Sequence, residues 1–235
     1  MLVHGAVLGG RECWRAQRPL TERWSLQAVD RPGHGRSAAT GRQDFATEAV
    51  TLADQLLDHP VHLVGYSYGA LVAMEAAALS PSSVLSLTIV EPPATYLALG
   101  NPVVDAWAAD IRALTTSTAS AESVLRTFLP LAGAPVTLTD PVHPTLLQGA
   151  QHLVGARPPD EARPPLDALR DATFPVLVVS GAHMEQYELI CDAIATGTGG
   201  QRVQCPGMAH LVPDTGTPFN TLLEDFWHDT PTDKN

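Results

Sequence analysis

The segment 61–79 constrains the fold more than any other part of this 235-residue chain. It begins with the short apolar run 61–66, continues into the turn GYSYG at 65–69, and ends in the nearly all-apolar stretch 70–79. A short apolar run bounded by glycine favours a strand, and an apolar stretch without a polar face favours a buried helix. The glycines let neighbouring backbone come close. The segment therefore predicts a strand, a strained turn that carries Ser67, and a buried helix.

Short apolar runs recur along the chain and alternate with stretches whose apolar residues have helical spacing. The runs are Leu2-Val3, 24–29, 61–66, 84–90, 175–180 and 201–204. Helical spacing is found at 44–57, 70–79, 185–195 and from Thr217 onward. Runs this short and dense are typical of strands covered on both faces. The pattern predicts an α/β fold with a mostly parallel central sheet and helices on both faces.

The stretch 92–171 differs from the rest of the chain in composition. It is rich in proline, alanine and threonine, and pairs of prolines interrupt it. Within it, 103–114 and 122–128 have the spacing of short amphipathic helices, and 145–154 is a candidate for a third. We expect a single domain with these parts: 1–229 as the whole domain, 1–91 and 172–229 as its core, about 92–171 as a helical insertion, and 230–235 as a loose tail.

Charge and cysteine usage exclude several classes of protein. The chain has 25 acidic and 14 basic residues, a net charge of −11, which argues against binding to nucleic acid or to an anionic membrane. Its one lysine is Lys234, which excludes Schiff-base chemistry and a phosphate-binding P-loop. Cys13, Cys191 and Cys205 are too few and too widely spaced for a disulfide framework or a zinc knuckle. No apolar run approaches the ~20 residues that span a bilayer, and no signal-peptide pattern is present, so we expect a cytoplasmic protein.

Three further motifs accompany GYSYG along the chain. They are HGA at 4–6, DRPGHGRS at 30–37 and GMAHLVP at 207–213. In this order and spacing the four motifs resemble the alpha/beta-hydrolase superfamily, over 1–91 and 172–229. The resemblance implies that fold, with the turn at 65–69 as a nucleophile elbow and the insertion as a lid over it. The arginine-rich, lysine-poor composition, with much alanine and proline, is typical of GC-rich bacterial genomes.

The resemblance also implies roles for individual residues. Ser67 is the expected nucleophile, His210 the general base, and the backbone N–H groups of Ala6 and Tyr68 the oxyanion hole. The chemistry agrees, because a serine hydroxyl is a poor nucleophile until an imidazole takes its proton, and two donors stabilise the oxyanion that forms. No cofactor is implied. The histidines of the insertion, His143 and His152, do not have a metal-ligand spacing, so no metal is expected.

The carboxylate of the expected triad is missing from its usual place. In the superfamily pattern an Asp follows the strand read at 175–180, and Met184 occupies that position here. Our first choice is Glu91, which ends the run 84–90, because some superfamily members carry the acid at the end of this neighbouring strand. Two alternatives stay open: Glu185 reaches back, or the site has no acid.

Aromatic residues near the elbow and in the insertion are candidates for the substrate pocket. They are Tyr66, Tyr96, Trp107 and Phe128. The sequence predicts a serine hydrolase that cleaves a small-to-medium apolar ester, thioester or lactone through an acyl-enzyme on Ser67. One alternative is a cofactor-free carbon–carbon hydrolase or a biosynthetic cyclase or lyase on the same fold. The other is a non-catalytic ligand-binding relative.

The edge of the sheet is a further expectation. Superfamily members usually have two more strands before the one that ends in His-Gly, and these two strands are expected to be missing here. The run 24–29 then lies at a sheet edge with unpaired backbone groups. We expect a loop or a homodimer contact to cover this edge.

Overall fold

The computed structural model describes residues 1–56 and 59–230 of the chain. At its centre is a six-stranded sheet with the strand order β2-β1-β3-β4-β5-β6, in which all neighbouring strands run parallel. The strands are β1 (Leu2–Val3), β2 (Ala28–Val29), β3 (Val61–Tyr66), β4 (Val84–Val90), β5 (Val176–Ser180) and β6 (Gln201–Gln204). The order reverses between β1 and β3, and in parallel sheets ligands bind outside the carboxyl ends of the strands at such a point.

Helices cover both faces of this sheet, which confirms the predicted α/β fold. The helices are α1 (Gly10–Cys13), α2 (Phe45–Leu56), α3 (Tyr68–Leu79), α4 (Pro102–Thr115), α5 (Ala121–Leu131), α6 (Pro144–Leu153), α7 (Leu166–Arg170), α8 (Glu185–Thr198) and α9 (Thr217–His228). One core holds side chains of α2, α3 and α8, and the other holds side chains of α1 and α9. Along β3, Leu63 belongs to the first core and Val64 to the second, as the alternation of a strand requires. Within the described ranges, no helix is long and apolar enough to cross a bilayer.

The stretch 92–171 contains α4, α5, α6 and α7. The first three helices lie within a few residues of the amphipathic patterns in the sequence. Asn101 begins α4 by accepting a hydrogen bond from the Val103 N–H at 2.9 Å, and Ser120 begins α5 in the same way. Helix α5 packs against α4 and α6, while α4 and α7 contact α8, so the stretch is joined to the core.

The outer edge of the sheet is shorter than the sequence predicts. The run 24–29 forms a strand only at β2, because Trp24 turns into the second core and packs edge-on against Trp227 of α9. The two rings are 5.0 Å apart, and Trp24 also contacts His62 of β3. A homodimer through this edge stays a prediction.

The end of the domain also differs from the expectation. Thr230, placed in the loose tail, is buried, and its hydroxyl donates to the Phe226 carbonyl of α9 at 2.8 Å. This bond attaches Thr230 to the last turn of α9. The rest of the predicted tail, 231–235, and Leu57 at the predicted end of α2 lie outside the described residues.

Candidate active site

Ser67 lies in the turn between β3 and α3, in a backbone conformation that residues other than glycine rarely adopt. Its φ is 53° and its ψ is −125°. The turn requires its glycines because neighbouring atoms come too close to leave room for a side chain. A Cβ at Gly65 would lie 2.6 Å from the Ala73 side chain, and one at Gly69 would overlap the His4 carbonyl oxygen. The motif therefore forms a strained elbow that holds Ser67 at the carboxyl end of the sheet.

His210 and Glu91 continue a chain of hydrogen bonds that begins at Ser67. His210 Nε2 lies 3.1 Å from Ser67 Oγ, and His210 Nδ1 lies 2.6 Å from Glu91 Oε2. All three side chains are buried. An ionised carboxylate only accepts hydrogen bonds, so His210 carries its proton on Nδ1 and leaves Nε2 free to accept from the Ser67 hydroxyl. The structure thus brings the three residues together in the arrangement that an activated serine requires.

Glu91 follows β4 as a fully buried carboxylate. Burial by itself would raise its pKa. Hydrogen bonds from His183 and His210, the charge that His210 can carry, and the Gly181 N–H outweigh this effect and lower the pKa of Glu91 to about 2. Glu91 is therefore ionised at neutral pH. Glu185, the alternative acid, is exposed in the first turn of α8.

The loop after β1 carries Ala6, one of the two residues expected to form the oxyanion hole. A Cβ at Gly5 would lie 3.2 Å from the Cβ of Ser67, so the loop contacts the elbow. Ala6, Ser67 and Tyr68 line one cavity. Tyr68 begins α3, and the first N–H groups of a helix have no partner within it. Both residues lie beside Ser67, and the role of their N–H groups stays a prediction.

A buried arginine holds this loop in place. Arg31 donates from Nη1 to the Gly5 carbonyl at 2.8 Å, and His34 Nε2 lies 3.0 Å from the next carbonyl oxygen along the loop. The Arg31 charge is balanced by Glu48, at 2.7 Å, and its remaining nitrogen donates to Gln43. The DRPGHGRS motif therefore fixes the loop beside Ser67.

Ser67 lies between two cavities. The inner cavity is narrow, with a volume of about 40 Å³, and is enclosed by α4, α5 and α6. Apolar side chains dominate its walls, among them Ile111, Leu114 and Leu153. Charged side chains do not line it among the described residues. This cavity is suited to an apolar group of a substrate.

The outer cavity is an open cleft of about 630 Å³ that also reaches Ser67. Leu146 and Val136 contribute apolar walls. Its rim carries an ion pair between Arg15 and Asp214, at 3.0 Å. The cleft therefore offers both apolar and polar contacts.

The predicted pocket aromatics separate into two groups. Trp107 lines the inner cavity, Phe128 lines both cavities, and Tyr66 lines the cleft with its ring 5.1 Å from that of His210. Tyr96 lies away from both cavities. It is 44% exposed on a surface turn, with the Arg163 guanidinium 3.8 Å above its ring. Its inclusion in the pocket is corrected, because the ring faces solvent and a surface cation.

Two residues of the site were not found from the sequence. Tyr187 of α8 stacks on His210, and its position on the apolar stripe of the helix marks it only as a core residue. His183 Nε2 lies 3.0 Å from Glu91 Oε2. The signal for His183 is its place beside Met184, in the loop where the superfamily pattern has its acid.

Glu91, His183 and His210 are also the described side chains whose possible metal-ligand atoms cluster within 4.8 Å of one another. Hydrogen bonding accounts for the cluster, because both imidazoles approach the same carboxylate oxygen to 3.0 Å or less. A cation bound there would displace the Nδ1 proton that orients His210. We therefore describe the group as a hydrogen-bond network.

Curated relatives match the chain over short segments. A pimeloyl-[acyl-carrier protein] methyl ester esterase of Methylococcus capsulatus is 39% identical over 88 residues, which is 37% of this chain and 32% of the relative. A 2-succinyl-6-hydroxy-2,4-cyclohexadiene-1-carboxylate synthase of Pectobacterium atrosepticum is 37% identical over 75 residues, 31% of this chain and 29% of the relative. Lipase LipV of Mycobacterium tuberculosis is 38% identical over 95 residues, 39% of this chain and 36% of the relative. The chain thus spans about a third of the length of these relatives.

Solved structures match the whole fold. NosK of Streptomyces actuosus has a TM-score of 0.62 and 24% identity, with 97% of this chain and 96% of that chain covered. MenH of S. aureus has a TM-score of 0.68 and 19% identity, with 97% and 92% covered. The profile of the alpha/beta hydrolase family matches residues 1–227. With the elbow and the parallel sheet described above, this match establishes that the chain belongs to the alpha/beta hydrolase family.

Proposed function

We propose that the protein is a serine hydrolase that cleaves an apolar ester, thioester or lactone through an acyl-enzyme on Ser67. The observation that carries the proposal is the buried hydrogen-bonded triad of Ser67, His210 and Glu91. His210 Nε2 lies 3.1 Å from Ser67 Oγ and His210 Nδ1 lies 2.6 Å from Glu91 Oε2, where two cavities meet. Relatives named as an esterase and a lipase support the same class.

In the acylation step, Ser67 Oγ attacks the carbonyl carbon of the substrate while its proton passes to His210 Nε2. Glu91 stabilises the imidazolium through Nδ1. The N–H groups of Ala6 and Tyr68 donate to the oxyanion of the tetrahedral intermediate. The bond to the leaving oxygen or sulfur then breaks, the leaving group takes the proton from His210 Nε2, and the acyl group stays on Ser67.

In the second step, His210 takes a proton from water, and the resulting hydroxide oxygen attacks the acyl carbon. The bond to Ser67 Oγ breaks, and the serine recovers its proton from His210. One water is consumed, and the products are a carboxylic acid and an alcohol or thiol. A lactone gives a single hydroxy acid. The chain's own residues carry out these steps without a cofactor.

The two cavities support an orientation for the substrate. The inner cavity has apolar walls, so we place the acyl group there. The leaving group then faces the open cleft and its polar rim. The net charge of −11 supports a small-molecule partner over nucleic acid or an anionic membrane.

A second candidate is a lyase or cyclase reaction, or carbon–carbon bond hydrolysis, on the same residues. The relative named as a synthase favours it. A lyase that uses His210 as a base toward the substrate forms no acyl-enzyme on Ser67. Trapping of an acyl-enzyme by rapid acid quench and intact-mass measurement therefore distinguishes the lyase from the hydrolase. Carbon–carbon bond hydrolysis is distinguished by its products, because a carbon leaving group replaces the alcohol or thiol.

The first test is labelling of the protein with a fluorophosphonate, followed by intact-mass measurement. Ser67 attacks phosphorus and fluoride leaves, so we expect one adduct in the wild type and none in Ser67→Ala. Ser123→Ala removes an exposed serine of α5 and serves as the matched control; it keeps the adduct. An unlabelled wild type that is shown to be folded would contradict the proposal and favour a ligand-binding relative.

A further inference from the structure

We infer that His183 is a positioning residue of this site: its Nε2–H donates a second hydrogen bond to Glu91 Oε2 and thereby sets the orientation of the carboxylate and the basicity of His210. The inference rests on the proposed function. It adds a fourth side chain to the line that begins at Ser67. Neither the motifs nor the family resemblance assigns a role to His183.

The carboxylate of Glu91 is held by three donors. His210 Nδ1 and His183 Nε2 lie 2.6 and 3.0 Å from the same oxygen, Oε2, and the Gly181 N–H donates to Oε1 at 2.5 Å. Glu91 is ionised and only accepts, so His183 must carry a proton on Nε2. Glutamate has one more rotatable bond than aspartate, and fixing it costs more conformational entropy. The loop after β5 supplies two of the three donors that hold it.

The backbone gives an independent indication that His183 belongs to the site. Within the described ranges, the residues other than glycine with positive φ are Ser67 at 53°, Glu91 at 42°, Ala182 at 55° and Ala209 at 49°. The first two are site residues, Ala209 precedes His210, and Ala182 precedes His183. Such conformations are uncommon and cluster at functional sites. The residue before His183 therefore has the same uncommon backbone conformation as the residue before His210.

His183 is held firmly enough to act on Glu91. Its side chain is 12% exposed, and its ring lies 5.4 Å from that of Tyr187 on α8. The turn after α5 approaches so closely that a Cβ at Gly133 would lie 2.5 Å from His183 Cε1. The titratable groups around the ring, among the described residues, are Glu91 on the β4 side, Tyr187 on α8 and His210 in the loop after β6.

The second donor changes the basicity of His210 in a definite direction. The N–H of His183 partly screens the negative charge of Glu91 Oε2. That charge otherwise acts on His210 and stabilises its protonated form. Without His183 this charge acts fully on protonated His210 and stabilises it. The base is then protonated up to a higher pH, so the acidic limb of reactivity moves to higher pH. The loss of one donor also leaves Glu91 less well oriented, which lowers the reactivity above the limb.

The experiment compares the pH dependence of inactivation by a fluorophosphonate in four proteins. His183→Phe keeps a flat ring and removes the donor, His183→Gln keeps a donor near the position of Nε2, and Met184→Leu changes the neighbouring residue. Second-order rate constants are measured from about pH 5 to about pH 9. Circular dichroism checks the fold, and His183→Leu replaces His183→Phe if that variant does not fold.

For His183→Phe we expect the acidic limb to move up by about half a pH unit or more, and the plateau rate to fall about tenfold. His183→Gln and Met184→Leu keep the limb of the wild type. An unchanged limb in His183→Phe overturns the inference. An equal shift in His183→Phe and His183→Gln also overturns it, because the donor is then not responsible.

A second readout separates this inference from the proposed function. The ring protons of His210 are titrated by NMR in the wild type, His183→Phe and His183→Gln. If the wild type does not react with the fluorophosphonate, the proposed function fails, and the titration still decides the inference. A displacement of the His210 signal change to higher pH in His183→Phe alone supports the inference, and identical curves in all three proteins overturn it.

Discussion

Tyr187 lies flat against His210, with ring centroids 4.8 Å apart and ring planes 17° apart. Tyr187 is 1% exposed, and burial raises the pKa of its phenol well above the ordinary value, so the ring stays neutral. A neutral ring packed on the imidazole fixes its plane between Ser67 and Glu91. Helix α8 therefore orients His210 through packing, while Glu91 orients it through a hydrogen bond.

The stack with Tyr187 predicts different outcomes for two variants. Tyr187→Phe keeps the ring, and we expect fluorophosphonate labelling of Ser67 within about threefold of the wild-type rate. Tyr187→Ala removes the stack and opens a cavity, so we expect a loss of about 3–5 kcal/mol in the free energy of unfolding and slower labelling. Urea denaturation and labelling kinetics measure both effects. Equal labelling rates in the two variants would contradict the orienting role of the ring.

Glu91→Gln tests the acid of the triad. A neutral amide cannot stabilise protonated His210 and can donate to Nδ1, which favours the wrong tautomer. We expect kcat/KM for an activated ester to fall about 10³- to 10⁴-fold with the fold intact. Glu185→Gln, on the exposed first turn of α8, is the matched control and keeps the wild-type value. Full turnover in Glu91→Gln would show that the assignment is wrong.

Glu91 also predicts a dependence of stability on pH. Its pKa is about 2 in the folded protein, against 4.5 for an unperturbed glutamate. A carboxyl group with a lowered folded pKa stabilises the fold above the unfolded value, and this contribution is lost as pH falls from 4.5 through about 2. The gap corresponds to about 3 kcal/mol. Urea denaturation at pH of about 5 and about 3 measures the loss, which we expect to be smaller in Glu91→Gln. Equal losses would exclude Glu91 as the source.

The inner cavity predicts selectivity for the length of the acyl group. Ile111→Trp fills part of the cavity, so we expect kcat/KM for a hexanoyl ester to fall about tenfold or more, while an acetyl ester keeps its value. Leu146→Trp narrows the cleft instead and serves as the control, since it affects bulky leaving groups. Both series use p-nitrophenyl and larger aryl esters. An equal loss for both acyl lengths in Ile111→Trp would place the acyl group elsewhere.

The elbow could be predicted from the sequence because the interactions that form it are local. An apolar run, two glycines and a buried helix follow one another over 61–79, and each has its own pattern. The helices of the insertion were found for the same reason, since the spacing of their apolar residues and their N-cap residues lie within short segments of the sequence. Strand β2 came out shorter than predicted, because Trp24 packs against α9, some two hundred residues further along the chain.

The roles of Tyr187 and His183 could not be predicted in this way. His183 meets Glu91 across 92 positions of the chain, and Tyr187 meets His210 only because the loop after β6 returns over α8. An apolar stripe looks the same whether its tyrosine packs in a core or beneath an imidazole. Tyr96 shows the converse, because aromatic character did not reveal that its ring faces solvent.

The loop that carries Ala6 depends on the weakest part of the sheet. Arg31, which holds the Gly5 carbonyl, lies two residues after β2, a two-residue outer strand that is partly exposed. Outer strands with few buried contacts open locally at a lower free energy than the central strands. Opening of this edge withdraws Arg31 and releases the loop beside Ser67. The stability of this edge therefore sets the highest temperature or denaturant concentration at which the site stays assembled. The central strands keep the protein folded to a higher temperature or concentration.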